Sequence, residues 1–482
     1  MVCLRVRVPA KNSPDSTYKP GVRVRADCRT HPQEKNPLSA DAKPFPNKDH
    51  QHILIRFTGP YRGNSPHLIH NPFSFVEKTM ELFNIIAVLV TLSALFSFIN
   101  TKYLKIHMTI GLIVISLIMS AALMVLDHAG YHPGLRDMLT AIDFNQTMLV
   151  GMLSFLLFAG ALHIDINDLL KHRLTIGIFA TLGVACSTAI VGCLTFFLFH
   201  LFNLDVGFLH CLLFGALISP TDPIAVLGIL KQAHAPKDLE VNIAGESLFN
   251  DGVGVVIFII LLSMAQGGHD VSVAGVAILF IEEVLGGIVM GFALGWVGFH
   301  MLKQVDQYQV EILITLALVT GGYALSLNLH LSGPIAVVIT GLMIGNSGRR
   351  LAMSQTTRHH LDTFWELVDE ILNALLFVLI GLEVLVISIN ATYLALGAIA
   401  IPIVLFARFL SIGAPVMCLK NHVSFIPGTV KIMTWGGLRG GISVALALSL
   451  PPGMIRDLLL TMTYTVVVFS LVGQGLTIRR FL

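Results

Sequence analysis

The 482-residue chain is 54% hydrophobic and only 12% charged, with a net charge of +2. Soluble domains carry about 25% charged residues, so the composition excludes an ordinary soluble domain; the net charge says nothing about nucleic acid, and none is expected as a partner. The apolar residues fall in blocks of about 20, the length at which a helix crosses a hydrocarbon core, and nothing shows the alternating segments of a membrane barrel. The sequence therefore reads as an all-α polytopic membrane protein.

Residues 1–79 come first and differ from the rest. They hold 10 of the 20 prolines and 13 of the 31 Lys and Arg residues, with no sustained apolar run. Such a segment cannot bury a core and reads as a disordered Pro/Arg-rich extension. It also lacks the apolar centre of a signal peptide. Translation starting at Met80, where "MELFNIIAVLVTL" opens the first span, is the alternative.

The membrane domain, 80–482, contains thirteen apolar spans. They lie near 81–100, 108–126, 145–163, 174–201, 208–231, 243–266, 273–302, 309–328, 331–347, 364–388, 392–419, 430–450 and 458–477. Loops after odd-numbered spans, with the C-terminus, carry fourteen Lys and Arg residues; the opposite loops carry only Arg136 and Arg456. By the positive-inside rule the C-terminus is cytoplasmic. Four of the six cysteines lie in apolar segments without metal-ligand spacing, so they read as packing residues.

Two spans are interrupted. In "GALISPTDPIAVLG" (215–228), Pro220 and Pro223 flank Thr221 and Asp222 in mid-span. Proline removes helical hydrogen bonds and biases its predecessor away from helix, so the span should break and free carbonyls from Ser219 to Thr221. In "TWGGLRGGISVALALSLP" (434–451), four glycines flank Leu438 and Arg439, which predicts a second break. Irregular backbone at membrane depth survives only where it lines protein or a watery cavity. Interrupted spans at matching places in two halves point to a secondary transporter's site. An offset of seven spans, an odd number, implies inverted repeats with two crossed discontinuous helices.

Between the breaks lies "ESLFNDG" (246–252). On a helix Ser247 and Asp251 share one face, and Glu246 and Asn250 the next. The first face offers oxygen ligands to a hard cation. Glu246 needs a partner, and Arg439, in the second broken span, is expected to form a structural ion pair with it. Arg408 and Glu370 read as ties between helices; Glu282, Glu283, Glu366 and Asp369 read as facing protein interior or an interface.

Together "SPTDPIAV", "GESLFNDGVGVVIF", "LSGPIAVVITGLMIGN" (331–346) and "TWGGLRGGISVALALSLP" resemble the signature segments of NhaP-type sodium/proton antiporters, in the monovalent cation:proton antiporter family that includes the sodium/hydrogen exchangers. The resemblance covers roughly residues 80–482. It implies thirteen spans, a homodimer in the cell membrane, and a core domain that moves against a dimerisation domain. It also implies that Asp251 binds Na+ or a proton, assisted by Ser247, Asp222, Asn250 and the Thr221 carbonyl, with Glu246 and Arg439 as the structural pair. Some relatives carry a third-span acid where this chain has Ala159, so a third acidic ligand is absent or supplied from elsewhere. Asn250 sets the chain apart from relatives with two adjacent Asp residues, which are typically electrogenic.

One titrating carboxylate implies one proton per monovalent cation, hence electroneutral exchange without ATP or a cofactor. A K+/H+ antiporter of the same fold, with Li+ also a conceivable substrate, is the alternative. A cation channel is weaker, since it would want a continuous ring of carbonyls or acids.

Overall fold

In lipid a backbone must satisfy its own hydrogen bonds, so long apolar runs become helices. The computed structural model of the protein describes residues 72–129, 151–267, 273–385, 387, 390–423 and 425–481, and among them every regular element is helical. All of these elements belong to one unit, His70–Leu482. The disorder expected of the extension lies outside the described residues up to position 71. Met80 falls within the first helix.

In chain order the elements are α1 (Pro72–Ile99), α2 (Met108–His128), α3 (Leu153–Leu162), α4 (Arg173–Leu201), α5 (Phe208–Ile218), α6 (Ile224–Gln232), α7 (Lys237–Ala265) and α8 (Val273–Lys303). Then follow α9 (Tyr308–Asn328), α10 (Gly333–Met343), α11 (Gln355–Glu383), α12 (Ala391–Leu419), α13 (Thr429–Trp435), α14 (Gly441–Leu448) and α15 (Met454–Val468). Eight helices among the described residues are long and apolar enough to span a membrane. Two shorter apolar helices, α3 and α5, lie in the third and fifth predicted spans. The other three spans correspond to α10, the more polar α11, and the α13–α14 pair, so each of the thirteen contains helix among the described residues.

Local chemistry sets several starts. The Ser332, Ser354 and Asn390 side chains cap α10, α11 and α12 by accepting from the Ile335, Thr357 and Thr392 N–H groups, satisfying donors that the first turn leaves free. Before α7, Asp168 accepts from Lys171 at 3.0 Å and pairs with Lys237 at 2.5 Å. The hydrogen bond from Lys237, seconded by Lys171, holds the Asp168 carboxyl below its usual range. Both lysines are exposed, so the pairs orient the loop more than they stabilise it.

The helices sort into two packed groups. One contains α4, α5, α7, α12, α14 and α15, with α12 against α4 and α15, and α5 against α4, α7 and α14. The other contains α1, α2, α3, α8, α9, α10 and α11, with α10 against α3, α8 and α9, and α11 against α1, α2 and α3. The first group draws on spans 4–6 and 11–13, which are related by the offset of seven. Contacts between the groups run mainly through α7 against α8 and α10, and through α11 against α14. Outward-facing apolar side chains such as Leu201, Val289 and Trp296 are exposed, as a lipid-facing surface requires.

Lipid offers no hydrophobic drive between helices, so close packing depends on small residues. Gly192 and Gly215 serve this at the α4–α5 seam. A Cβ on Gly215 would collide with the Thr188 carbonyl oxygen, and one on Gly192 would lie 2.6 Å from Leu212 Cδ2. Gly321, by contrast, has nothing within 4 Å of such a Cβ. Gly215→Ala should therefore lower stability by about 1–3 kcal/mol through overpacking, whereas Gly321→Ala should leave it unchanged or raise it. Melting curves in detergent measure the difference; equal effects would show that the seam is not close-packed.

Candidate functional site

Both predicted breaks are present, and they meet. α5 stops at Ile218 and α6 starts at Ile224; α13 stops at Trp435 and α14 starts at Gly441. The Asp222 N–H donates to the Leu438 carbonyl at 2.8 Å, so each unwound segment satisfies part of the other's backbone. Gly440 lies against the Asp222 side chain, where a Cβ would sit 2.6 Å from Oδ2. The other Asp222 oxygen, Oδ1, accepts from the Ile224 N–H at 3.0 Å, at the start of α6.

Arg439 occupies the second break, fully buried. Its Nη1 donates to the carbonyls of Ser219 and, at 3.0 Å, Pro220, two of the acceptors that the prolines were expected to free. Its own N–H donates to Ser470 Oγ at 2.9 Å. A guanidinium thus closes the C-terminal end of α5, where the helix dipole is negative.

The expected pair of Glu246 with Arg439 is not formed. Glu246 instead pairs with Arg408 on α12: Nη1 donates to Oε1 and Nη2 to Oε2, each at 2.7 Å. Both side chains are buried. Arg408 Nε also donates to the Met433 carbonyl at 3.4 Å, and Gly437 leaves room for the guanidinium, since a Cβ there would lie 2.7 Å from Nε. The physical reason is division of labour between two cations. Freed carbonyls at the break need donors and take the nearer one, Arg439, while α12 carries Arg408 alongside α7. The expected role of Arg408 as a helix tie, not that of Arg439, describes this bond. A lone Arg in mid-span demands an acid; that signal was readable, but it did not say which arginine served Glu246.

Asn250 joins Glu246 to the first break. Its Nδ2 donates to Glu246 Oε1 at 2.7 Å and to Thr221 Oγ1 at 2.8 Å, and its Oδ1 accepts from the Thr221 N–H at 3.4 Å. Ser247 Oγ donates to the Thr221 carbonyl at 2.6 Å and lies 2.9 Å from Thr221 Oγ1. Every polar group of this strut is thereby engaged.

Asp251, one turn beyond Ser247, is buried, and its carboxylate makes no hydrogen bond among the described residues. Asp222 and Glu246 are its electrostatic neighbours. Glu246 is paired with Arg408, so Asp251 is the buried acid of α7 whose oxygens are unbonded among the described residues. Four residues earlier on the same face of α7, Ser247 is bonded to the hydroxyl and carbonyl oxygens of Thr221, oxygen donors of the kind a hard monovalent cation takes. Ala159 is buried on α3, and its carbonyl oxygen lies 2.7 Å from His163 Nδ1.

Two discontinuous helices that meet in mid-span are the architecture of a secondary ion transporter. A family profile described as "Sodium/hydrogen exchanger, transmembrane" matches residues 87–482, and the chain belongs to that family. It is 48% identical over 404 residues to the Na(+)/H(+) antiporter NhaP of Pseudomonas aeruginosa, covering 82% of this chain and 95% of the relative. It is 35% identical over 345 residues to the Na(+)/H(+) antiporter NhaH of Halobacillus dabanensis, covering 70% and 82%. The structure of the sodium proton antiporter MjNhaP1 from Methanocaldococcus jannaschii at pH 8 superposes with a TM-score of 0.67 at 20% identity, covering 83% of this chain and 98% of that one, and so shares its fold. The chain is a membrane-embedded secondary transporter and not an enzyme.

Breaking a buried ion pair by removing one partner typically costs 3–5 kcal/mol, because the other charge is stranded. Glu246→Ala and Arg408→Ala should each destabilise by about that much, and the double variant by much less than the sum. A double-mutant cycle on detergent melting curves measures the coupling. Additive losses would show that the bidentate bond contributes nothing, and stronger coupling of Glu246 to Arg439 would reinstate the other pairing.

Proposed function

We propose that the protein exchanges sodium for protons across the cell membrane, one for one, at Asp251. The observation that carries this reading is the Asp251 carboxylate, buried and unbonded among the described residues, one helical turn beyond the Ser247 hydroxyl that bonds Thr221. Support also comes from the relatives above, whose names state Na(+)/H(+) antiport. A proton and a sodium ion compete for the same carboxylate oxygens, so occupancy by one displaces the other. Either ligand neutralises Asp251; the empty carboxylate is a charge that is costly to move through a low-dielectric barrier. Only loaded forms therefore cross, and that restriction couples the two fluxes.

In this cycle Thr221 and Ser247 complete the cation's shell, Asp222 holds the start of α6, and Asn250, Glu246 and Arg408 keep α7 in register with the first break. Arg439 balances the carbonyl end of α5. Alternating access comes from the group containing the broken spans shifting against the other group. The protein works as a homodimer with its C-terminus in the cytoplasm, the side that the basic loops indicate.

Because Asn250 is neutral and Asp251 alone changes ligand, no net charge moves per turnover. One transferred charge would be worth about 2.3 kcal/mol at 100 mV, a bias too large to miss. In proteoliposomes, sodium-driven proton movement should be abolished by Asp251→Asn. In the unaltered protein its initial rate should be the same with or without an imposed potassium–valinomycin potential, provided that potassium is not transported. Normal exchange by Asp251→Asn would remove Asp251 from the site, and clear acceleration by voltage would require a second titrating group.

A further inference from the structure

The broken spans and α7 do not account for all of the acid at the crossing. α11 belongs to the opposite helix group, yet it packs against α14. Asp369, midway along α11, lies within electrostatic range of Asp222 at the first break and of His163 at the end of α3. Both Asp369 and Asp222 are half-buried. One turn further on along the same face of α11, the Asn373 amide neighbours the Asp369 carboxylate. Asn373 is only 4% exposed, and its Oδ1 has no hydrogen-bond partner among the described residues. On α14 itself Ser443 is also buried and its Oγ likewise lacks a partner among the described residues.

An unbonded buried carbonyl oxygen is costly, and here it sits one helical turn from a carboxylate. Two oxygen ligands four residues apart on one helix share a face, and an acid with a neutral amide carbonyl is a donor set for a hard cation. The placement also matters. α11 starts just after Arg349 and Arg350 and carries Arg358 in its first turn, and His163 is followed by Lys171 and Arg173, so both approach the crossing from the basic end of the molecule.

We infer that Asp369 and Asn373 form a staging site for the monovalent cation on the access route from the basic end, where the ion pauses on α11 before passing to Asp251. This rests on the sodium/proton reading above and adds to it a second site, built on the helix group opposite the one that carries Asp222 and Asp251. Loss of the staging acid lowers the occupancy of the route from one side only.

The test is sidedness of KM in proteoliposomes of defined orientation, with sodium supplied at either face. Asp369→Asn should raise the sodium KM from the basic end by about fivefold or more, exceeding any fall in kcat, and leave KM from the opposite face little changed. Asp369→Glu should restore most of the loss, and Asn373→Leu should shift KM in the same direction as Asp369→Asn. A merely structural role predicts instead a lowered melting temperature and equal losses from both faces, and that result would overturn the inference. So would an unchanged KM in a variant that still exchanges. If the unaltered protein moves no protons in response to sodium, the sodium/proton reading itself fails and the staging site falls with it.

Discussion

The structure depends on a backbone constraint: in a medium without water, an interrupted helix must find new partners for the groups it releases. Here the two interruptions supply each other. The Asp222 N–H meets the Leu438 carbonyl, and Arg439 from the second break covers the Ser219 and Pro220 carbonyls of the first. Pro220 and Pro223 create the need, and the glycines around Arg439 let the second segment come close enough to meet it. Neither break would be tolerable alone at this depth.

A second consequence concerns charge. Once Arg439 is engaged by carbonyls, Glu246 needs another cation, and Arg408 reaches it from α12 with two bonds of equal length. Asn250 then links this neutralised pair to Thr221. The result is a rigid frame in which one carboxylate, Asp251, stands outside the hydrogen-bond network of the described residues. The frame leaves that acid unengaged by tying Glu246, Ser247 and Asn250 of the same helix to Arg408 and Thr221. A transporter needs this arrangement, because a ligand that must be released cannot be held by groups with no alternative partner, whereas a carboxylate can trade a cation for a proton.

The parts visible in the amino-acid sequence were those marked by strong local chemistry. Prolines in mid-span announced the first break, glycines around an arginine the second, and spacing on a helix put Ser247 beside Asp251. The freed carbonyls expected at Ser219 to Thr221 are the ones that Arg439 and Ser247 engage. The pairing of Glu246 was not visible, because it depends on how α12 lies alongside α7 and on the space left by Gly437, neither of which periodicity reports. On sequence alone Asp369 reads as facing protein interior or an interface, and its proximity to Asp222 depends on the crossing of α11 with the broken spans. Local rules locate breaks and faces, whereas reach between helices is set by tertiary packing.

The central claim is that sodium and a proton exchange on a single carboxylate held open by this frame. Calorimetric titration of sodium into the purified protein, repeated in two buffers of different ionisation enthalpy, counts the protons released on binding. The account predicts one proton released per sodium bound, with both the binding heat and the release lost in Asp251→Asn. Sodium binding without proton release, or release that persists in Asp251→Asn, would contradict it.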